Sequence, residues 1–428
     1  MKLKATTKVL ILLCVMYALN YIARNNVSTA ASVFKRELHL SNAQVGLVFS
    51  AFAYPYLVFQ LIGGWIGDRF GARLALTVST IIWAAATVLT GLAPDLKLLL
   101  AARVMLGFGE GASLPAATRA MSDWISKDKR AFVQGITHSS ARLGNAFTPI
   151  LISWLMLVTT WRGSFVITGT VSLLWAGLWW FYFKDNPADH TGMSASDLAN
   201  LPPRAALGKR GPVPWFRLIA RMLPVTGVYF CYGWTLWLYL AWIPLFFLHH
   251  YGLDLKNSAW FSTGVFFSGV VGDTLGGVFS DRIYIRTHDR NRARRNLVVG
   301  GFLLSLAFMI PLLYITQLTW VAICLSAAFF FAEFTTGPMW AIPMDVAPRF
   351  SGSASGIMNA GSALAAIVSP LVFGAIVDKT GSWSLPFVGS IGLLFFGSVL
   401  AFWMKPNREL EGAARPDAVP IHAVAAKN

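Results

Sequence analysis

The sequence predicts an all-α membrane protein: twelve spanning helices arranged as two pseudo-symmetric six-helix bundles. Three observations carry this. Of 428 residues, 56% are hydrophobic and only 13% charged, about half the charged share of a soluble domain. Twelve apolar stretches are long enough to cross a bilayer. The third observation is a repeat. Gly63-Gly64-Trp65-Ile66-Gly67-Asp68-Arg69-Phe70-Gly71-Ala72-Arg73 follows the second stretch, and Gly276-Gly277-Val278-Phe279-Ser280-Asp281-Arg282 follows the eighth, 213 positions later. Parallel six-helix repeats with a site at the midplane between them are a transporter architecture.

The stretches lie near residues 9–30, 43–66, 75–93, 97–121, 131–158, 163–183, 222–248, 258–281, 296–316, 319–343, 354–377 and 384–403. The first is too long for a signal-peptide core and has no small-residue cleavage site, so it reads as a spanning helix. Residues 1–183 form the first bundle and 222–404 the second. Between them, 184–221 is rich in Pro, Gly and basic residues and reads as a cytoplasmic linker; 405–428 reads as a polar, disordered cytoplasmic tail. Cys14, Cys231 and Cys324 fall in apolar runs, which implies no disulfide framework.

The net charge of +16 is a topology signal and not a nucleic-acid signal. Of the 35 Lys and Arg, 26 fall on the side of the termini, six on the other, and Arg24, Arg103 and Arg142 inside helices. By the positive-inside rule both termini are cytoplasmic.

The fourth stretch organises the candidate site. Arg103 and Glu110 are seven residues apart, two turns and roughly 10 Å along one helix face, with Gly107, Gly109 and Gly111 keeping that face open. Intramembrane charges are costly unless paired or lining an aqueous pathway. The pair reads as an anion site that also carries a proton, the alternative being an ion pair that locks two helices. Arg24, flanked by Asn20, Asn25 and Asn26, stays charged and needs an anionic partner. Its fork matches a carboxylate; a helix–helix hydrogen-bonding cluster is the other reading. Arg142 follows His138 by one turn in the fifth stretch. It either snorkels to the interface or points inward, where three arginines against one glutamate would favour a doubly charged ligand. His138 could then titrate, or serve as a structural hydrogen-bonder.

Burial favours a neutral carboxyl at Glu110 and neighbouring guanidinium favours the carboxylate, so substrate and proton would bind together by sharing the arginines. Glu110 with Pro115 is echoed by Glu333 with Pro338, which makes Glu333 a second candidate proton carrier or a structural group. Asp273 falls in the cytoplasmic third of the eighth stretch, where water exposure is expected. Tyr56, Tyr232, Tyr239, Trp340 and Asn359 offer the polar groups that grip hydroxylated acids. No GxSxG, HExxH, P-loop or Cys/His metal spacing occurs. No enzyme activity, metal or cofactor is expected.

The glycine–aspartate–arginine repeat resembles the signature of the major facilitator superfamily. The resemblance covers essentially the whole chain and implies that Asp68, Arg69, Arg73, Asp281 and Arg282 pin helix ends as gates. Tyr21, Arg24, Tyr56, Arg103-x6-Glu110 and Asn359 further resemble the anion:cation symporter family. That likeness implies arginines that bear on substrate or gating, and a proton-coupling glutamate at 110. Relatives often carry an Asp before the helix-one Arg, where this chain has Ala23. The resemblance implies a monomeric, proton-coupled importer in a bacterial inner membrane, working by rocker-switch alternation. Its substrate is a small organic anion, a hydroxylated (di)carboxylate such as a sugar acid or tartrate. A phthalate-like aromatic acid is the alternative. Efflux antiport is disfavoured, because the fifth helix lacks a Gly-Pro-Gly-rich motif. A receptor or enzyme without transport finds no support.

Overall fold

The computed structural model describes residues 3–40, 42–202 and 212–410. Its first six long helices are α1 (Ala5–Glu37), α2 (Ala53–Phe70), α3 (Ala72–Leu92), α4 (Leu96–Trp124), α5 (Arg130–Val158) and α6 (Trp161–Tyr182). The last six are α7 (Trp215–Leu245), α8 (Leu255–Thr287), α9 (Leu297–Met309), α10 (Leu318–Glu333, resuming as Thr336–Val346), α11 (Ser351–Thr380) and α12 (Pro386–Leu400).

Among the described residues, eleven of these are long and apolar enough to span. The twelfth, α8, falls short because Asp273, Asp281 and Arg282 dilute an otherwise apolar run. Large side chains such as Leu157, Phe181 and Leu371 are 86%, 79% and 69% exposed, as a lipid-facing belt requires. With 33 residues, α1 is about 50 Å long, well beyond the ~30 Å hydrocarbon core, and its far end carries Lys35 and Arg36.

Three expectations are corrected. The second apolar stretch is two helices: a short one, Asn42–Ser50, precedes α2. The expected linker ends early, because α7 begins at Trp215, where Leu218 already packs inside. The expected tail is anchored over its first six residues. Arg221 donates to the Arg408 carbonyl at 2.9 Å, and the Leu410 amide donates to the Val346 carbonyl at 2.8 Å. The rest of the tail, 411–428, and the middle of the linker, 203–211, lie outside the described residues.

Among the first six helices, α1 packs on α5 and α6, α2 on α4, and α3 on α4 and α6. Among the last six, α7 packs on α11 and α12, α8 on α10, and α9 on α10 and α12. Two seams join the sets, α2 against α11 and α5 against α8.

The paired glycines of the repeat explain how each seam closes. A Cβ on Gly63 would sit 2.2 Å from the Ala112 Cα, so Gly63 seats α2 on its own neighbour α4. A Cβ on Gly64 would sit 2.3 Å from the Gly352 carbonyl oxygen, so Gly64 lets α2 meet α11 across the seam. Gly276 and Gly277 repeat this, at 1.9 Å from the Phe334 carbonyl oxygen on α10 and 2.4 Å from that of Ala131 on α5. One glycine serves the helix set and the next serves the seam. Small residues allow this because apolar lipid offers no drive to association beyond close packing and hydrogen bonding.

Candidate functional site

Midway along α1, Arg24 points between the two helix sets. Its Nε donates to Glu110 Oε2 at 2.7 Å, and its Nη2 to Asn20 Oδ1 at 3.4 Å. The guanidinium also lies over the rings of Tyr21, Tyr56 and Phe52, at 4.5, 4.8 and 5.1 Å. Ion pair and aromatic cage together hold a desolvated cation.

Arg103 is placed differently from expectation. It does not bond Glu110; its Nε donates to the Val48 carbonyl at 3.2 Å. Helical side chains lean toward the helix N-terminus, which carries the long Arg103 chain away from Glu110. The partner of Glu110 is therefore Arg24, 86 positions off in the chain.

Arg142 points inward and is buried, so snorkelling is ruled out. Its Nη2 donates to Tyr232 Oη at 3.0 Å and to Glu333 Oε2 at 2.9 Å, and its Nε lies 3.8 Å from Asp273 Oδ2. Asp273 is 0% exposed, which overturns the expectation of a water-exposed position. Counted across the site, three arginines face three carboxylates, Glu110, Glu333 and Asp273. The excess positive charge expected from the first half alone is cancelled from the second.

His138 packs between Tyr17 and Trp340, with centroids at 5.3 and 4.8 Å. Its Nε2 makes no hydrogen bond among the described residues. Trp340 Nε1 donates to Tyr229 Oη at 2.6 Å. Tyr21, Arg24, Tyr56, His138, Arg142, Trp340 and Asn359 all line one enclosed cavity between α1, α2, α5, α7, α10 and α11. Trp237 and Ser362 also line it, bonded to each other at 3.3 Å, and sequence reasoning missed both. Tyr232 stands behind the lining as the link between Arg142 and Glu333.

Tyr239 is outside this set. It lies two turns beyond Tyr232, stacks on Phe329 at 4.9 Å and donates to the Leu325 carbonyl at 3.3 Å, a packing role. The space open to the centre of a water-sized sphere is about 20 Å³. That holds about one water, so a sugar acid requires the cavity to widen.

Below the cavity, on the side of Lys4 and Leu410, both seams are clasped by the aspartates of the repeat. Asp68 accepts from the Gly352 and Ser353 amides at 3.1 and 2.6 Å, at the first turn of α11. Asp281 accepts from the Ala131 and Phe132 amides at 3.2 and 2.7 Å, at the first turn of α5. Free amides and the dipole at a helix N-terminus favour an anion there.

The arginines of the motif do not cross the seams. Arg69 is exposed beside Trp65 and Phe70, and Arg282 is exposed. Arg73 donates to the Trp180 carbonyl at 2.8 Å, within its own helix set. The crossing cations come from helix ends instead. Arg119 donates to the Pro348 carbonyl at 2.9 Å while paired with Asp123 at 2.7 Å. Arg130 crosses to Asp345 at 2.8 Å, and Arg294, inside the second helix set, ties that Asp345 to Asp281 at 3.1 and 2.8 Å. The i,i+4 spacing of Arg119 and Asp123 was the available signal, hidden among the basic residues of that face.

A twelve-helix architecture with a charged cavity between its seams defines a membrane transporter. The chain matches the Major Facilitator Superfamily over residues 13–370, and again over 289–427, and it belongs to that superfamily. It is 44% identical over 408 residues to the probable sulfoacetate transporter SauU of Cupriavidus necator, covering 95% of each protein. It is 30% identical over 410 residues to the probable galactarate/D-glucarate transporter GarP of Escherichia coli, covering 90% of this chain and 92% of that one. In fold it is similar to the superfamily transporter FucP, solved in the outward conformation. The TM-score is 0.72 at 15% identity, over 94% of this chain and 99% of that one.

Proposed function

We propose that the protein imports a small, doubly charged organic anion together with protons across a bacterial inner membrane, with both termini cytoplasmic. The two helix sets, α1–α6 and α7–α12, act as the bundles that rock about the cavity. The observation that carries this is Arg24, a caged guanidinium lining a buried cavity between the seams and held by a single carboxylate, Glu110. An incoming carboxylate can take over the guanidinium fork, and Glu110, released in a dry site, is then favoured as the neutral acid. Substrate and proton thus load together. His138 and Asn359, with Tyr21, Tyr56 and Trp340 around them, supply the polar and aromatic walls. Asp68 and Asp281 hold the cytoplasmic side shut in this conformation.

The names of two relatives support a dianion, since sulfoacetate carries a sulfonate and a carboxylate and D-glucarate two carboxylates. The test is uptake into liposomes under an inward proton gradient, comparing sulfoacetate and D-glucarate with the monoacids acetate and D-gluconate. Proton-driven uptake of a diacid alone supports the reading. Preference for a monoacid refutes the dianion assignment, and uptake of phthalate alone would move the assignment to aromatic acids. Diacid uptake indifferent to the proton gradient refutes the coupling.

A further inference from the structure

We propose that Asp273 is a second proton-carrying group, bound into the Arg142–Glu333 pair of the second helix set, so that each anion enters with two protons. The inference rests on the reading of the protein as a proton-coupled carrier and deepens it. Its starting point is an imbalance. Two carboxylates, Glu333 and Asp273, share one cation, Arg142, and both are 0% exposed.

Hydrogen bonding tells the two apart. Glu333 Oε2 accepts from Arg142 Nη2, Tyr232 Oη and Thr336 Oγ1 at 2.9, 2.8 and 3.3 Å. The guanidinium and phenol on that oxygen make Glu333 the carboxyl that Arg142 holds. Asp273 receives no full hydrogen bond on either oxygen among the described residues: Arg142 Nε stays 3.8 Å away, and the Thr336 hydroxyl beside it is shared with Tyr232 and Glu333. A buried carboxylate without donors is far costlier than the neutral acid. Asp273 therefore holds the proton in this closed conformation.

The groups facing it from the packed elements fit. From α5 comes Arg142, from α7 Tyr232, and from α10 Glu333 and Thr336. Further along α8 Arg282 is exposed, and Arg294, beyond its end, is engaged by Asp281, eight residues from Asp273 and about 12 Å along the axis. Glu333 packs its Cγ about 3.0 Å from where a Cβ on Gly269 would stand, one turn from Asp273 on the same face. The proton, once given up, leaves a carboxylate that competes with Glu333 for Arg142. The pair thus has two arrangements, and widening of the cavity can select between them.

Two measurements decide. In reconstituted protein, infrared difference spectra titrated through neutral pH should show a protonated-carboxyl C=O band that disappears in Asp273→Asn and persists in Glu110→Gln. A missing band, or one untouched by Asp273→Asn, overturns the proposal. Should Asp273→Asn not fold, heavy-carbon labelling of aspartate carboxyls in the wild-type protein decides instead, and a band that does not move overturns it. In liposomes clamped at zero potential, the limiting sulfoacetate accumulation of Asp273→Asn should fall about tenfold for each pH unit of imposed gradient, one coupled proton lost. Wild-type accumulation that already fits one proton overturns the proposal while leaving the transport reading intact. No uptake of sulfoacetate or D-glucarate by the wild-type protein sinks the transport reading, and the infrared band then decides Asp273 alone.

Discussion

Replacing Asp68 with Ala tests whether the repeat's aspartate holds the cytoplasmic side shut. Asp68 is 2% exposed and accepts the Gly352 and Ser353 amides at 3.1 and 2.6 Å. Hydrogen bonds to a charged group contribute about 1.5–3 kcal/mol each. When the seam opens those amides meet water, so the loss falls almost wholly on the closed state. Arg119 keeps Asp123 at 2.7 Å and is not left as an orphan cation. Taking the lower figure twice gives about 3 kcal/mol, roughly a hundredfold shift toward the open form. The readout is a single cysteine at Thr118, which lies fully buried between cavity and clasp, in a background with Cys14, Cys231 and Cys324 replaced. An impermeant thiol reagent applied from the cytoplasmic side should label Asp68→Ala about a hundred times faster than its parent. Arg69→Ala should label like the parent, because Arg69 does not reach α11. Equal rates for Asp68→Ala and parent would refute the clasp.

Gly64→Ala drives a methyl into the Gly352 carbonyl across the seam and should also speed Thr118→Cys labelling. Gly63→Ala collides with Ala112 inside its own helix set, so it should lower thermal stability without raising the labelling rate. Glu110→Gln should keep anion exchange and lose accumulation against a gradient, measured as counterflow beside proton-driven uptake. Arg24→Lys, which replaces a fork with a point charge, should lower sulfoacetate kcat/KM by at least about tenfold, the scale of one charged hydrogen bond. Tyr239→Phe should cost about 1 kcal/mol of stability and leave the apparent sulfoacetate affinity unchanged.

Much of the fold is legible because a bilayer leaves few options. Backbone groups must be satisfied within a helix, so each long apolar run declares itself, and even α8 is recoverable through the repeat that ends it. The intramembrane residues of the site are legible for the same reason, since a charge in such a run is exceptional. What periodicity does not contain is the partner. It places Arg103 and Glu110 on one face, yet Glu110 pairs across 86 positions with Arg24 and Arg142 across 191 with Glu333. Those choices are set by how the helices pack and which way each side chain leans. Tyr232 and Tyr239 show the same limit, because two turns on one face separate a group touching Glu333 from one buried against Phe329. The motif's arginines misled because sequence adjacency to an aspartate says nothing of reach; the seams are crossed by Arg119 and Arg130, from other helix ends.

The charge count explains why two acids on opposite helix sets suit a dianion. With every group ionised, Arg24, Arg103 and Arg142 balance Glu110, Glu333 and Asp273. Each proton taken up leaves one positive charge to be met by one negative charge on the substrate. A dianion with two protons therefore leaves the loaded site neutral, as the returning empty site is once both acids have released their protons to the cytoplasm, and neither has to carry a bare charge through a low-dielectric passage. Losing one acid is not equivalent to losing the other. Without Glu110, Arg24 has no carboxylate when the site is empty, so the empty carrier cannot return and only exchange survives. Without Asp273, Arg142 keeps Glu333 as its counter-charge, so the empty carrier still returns and each loaded passage carries one proton fewer. The cavity's small closed volume fits this order of events. Arg24 and Arg142 hold internal carboxylates until widening admits the substrate's.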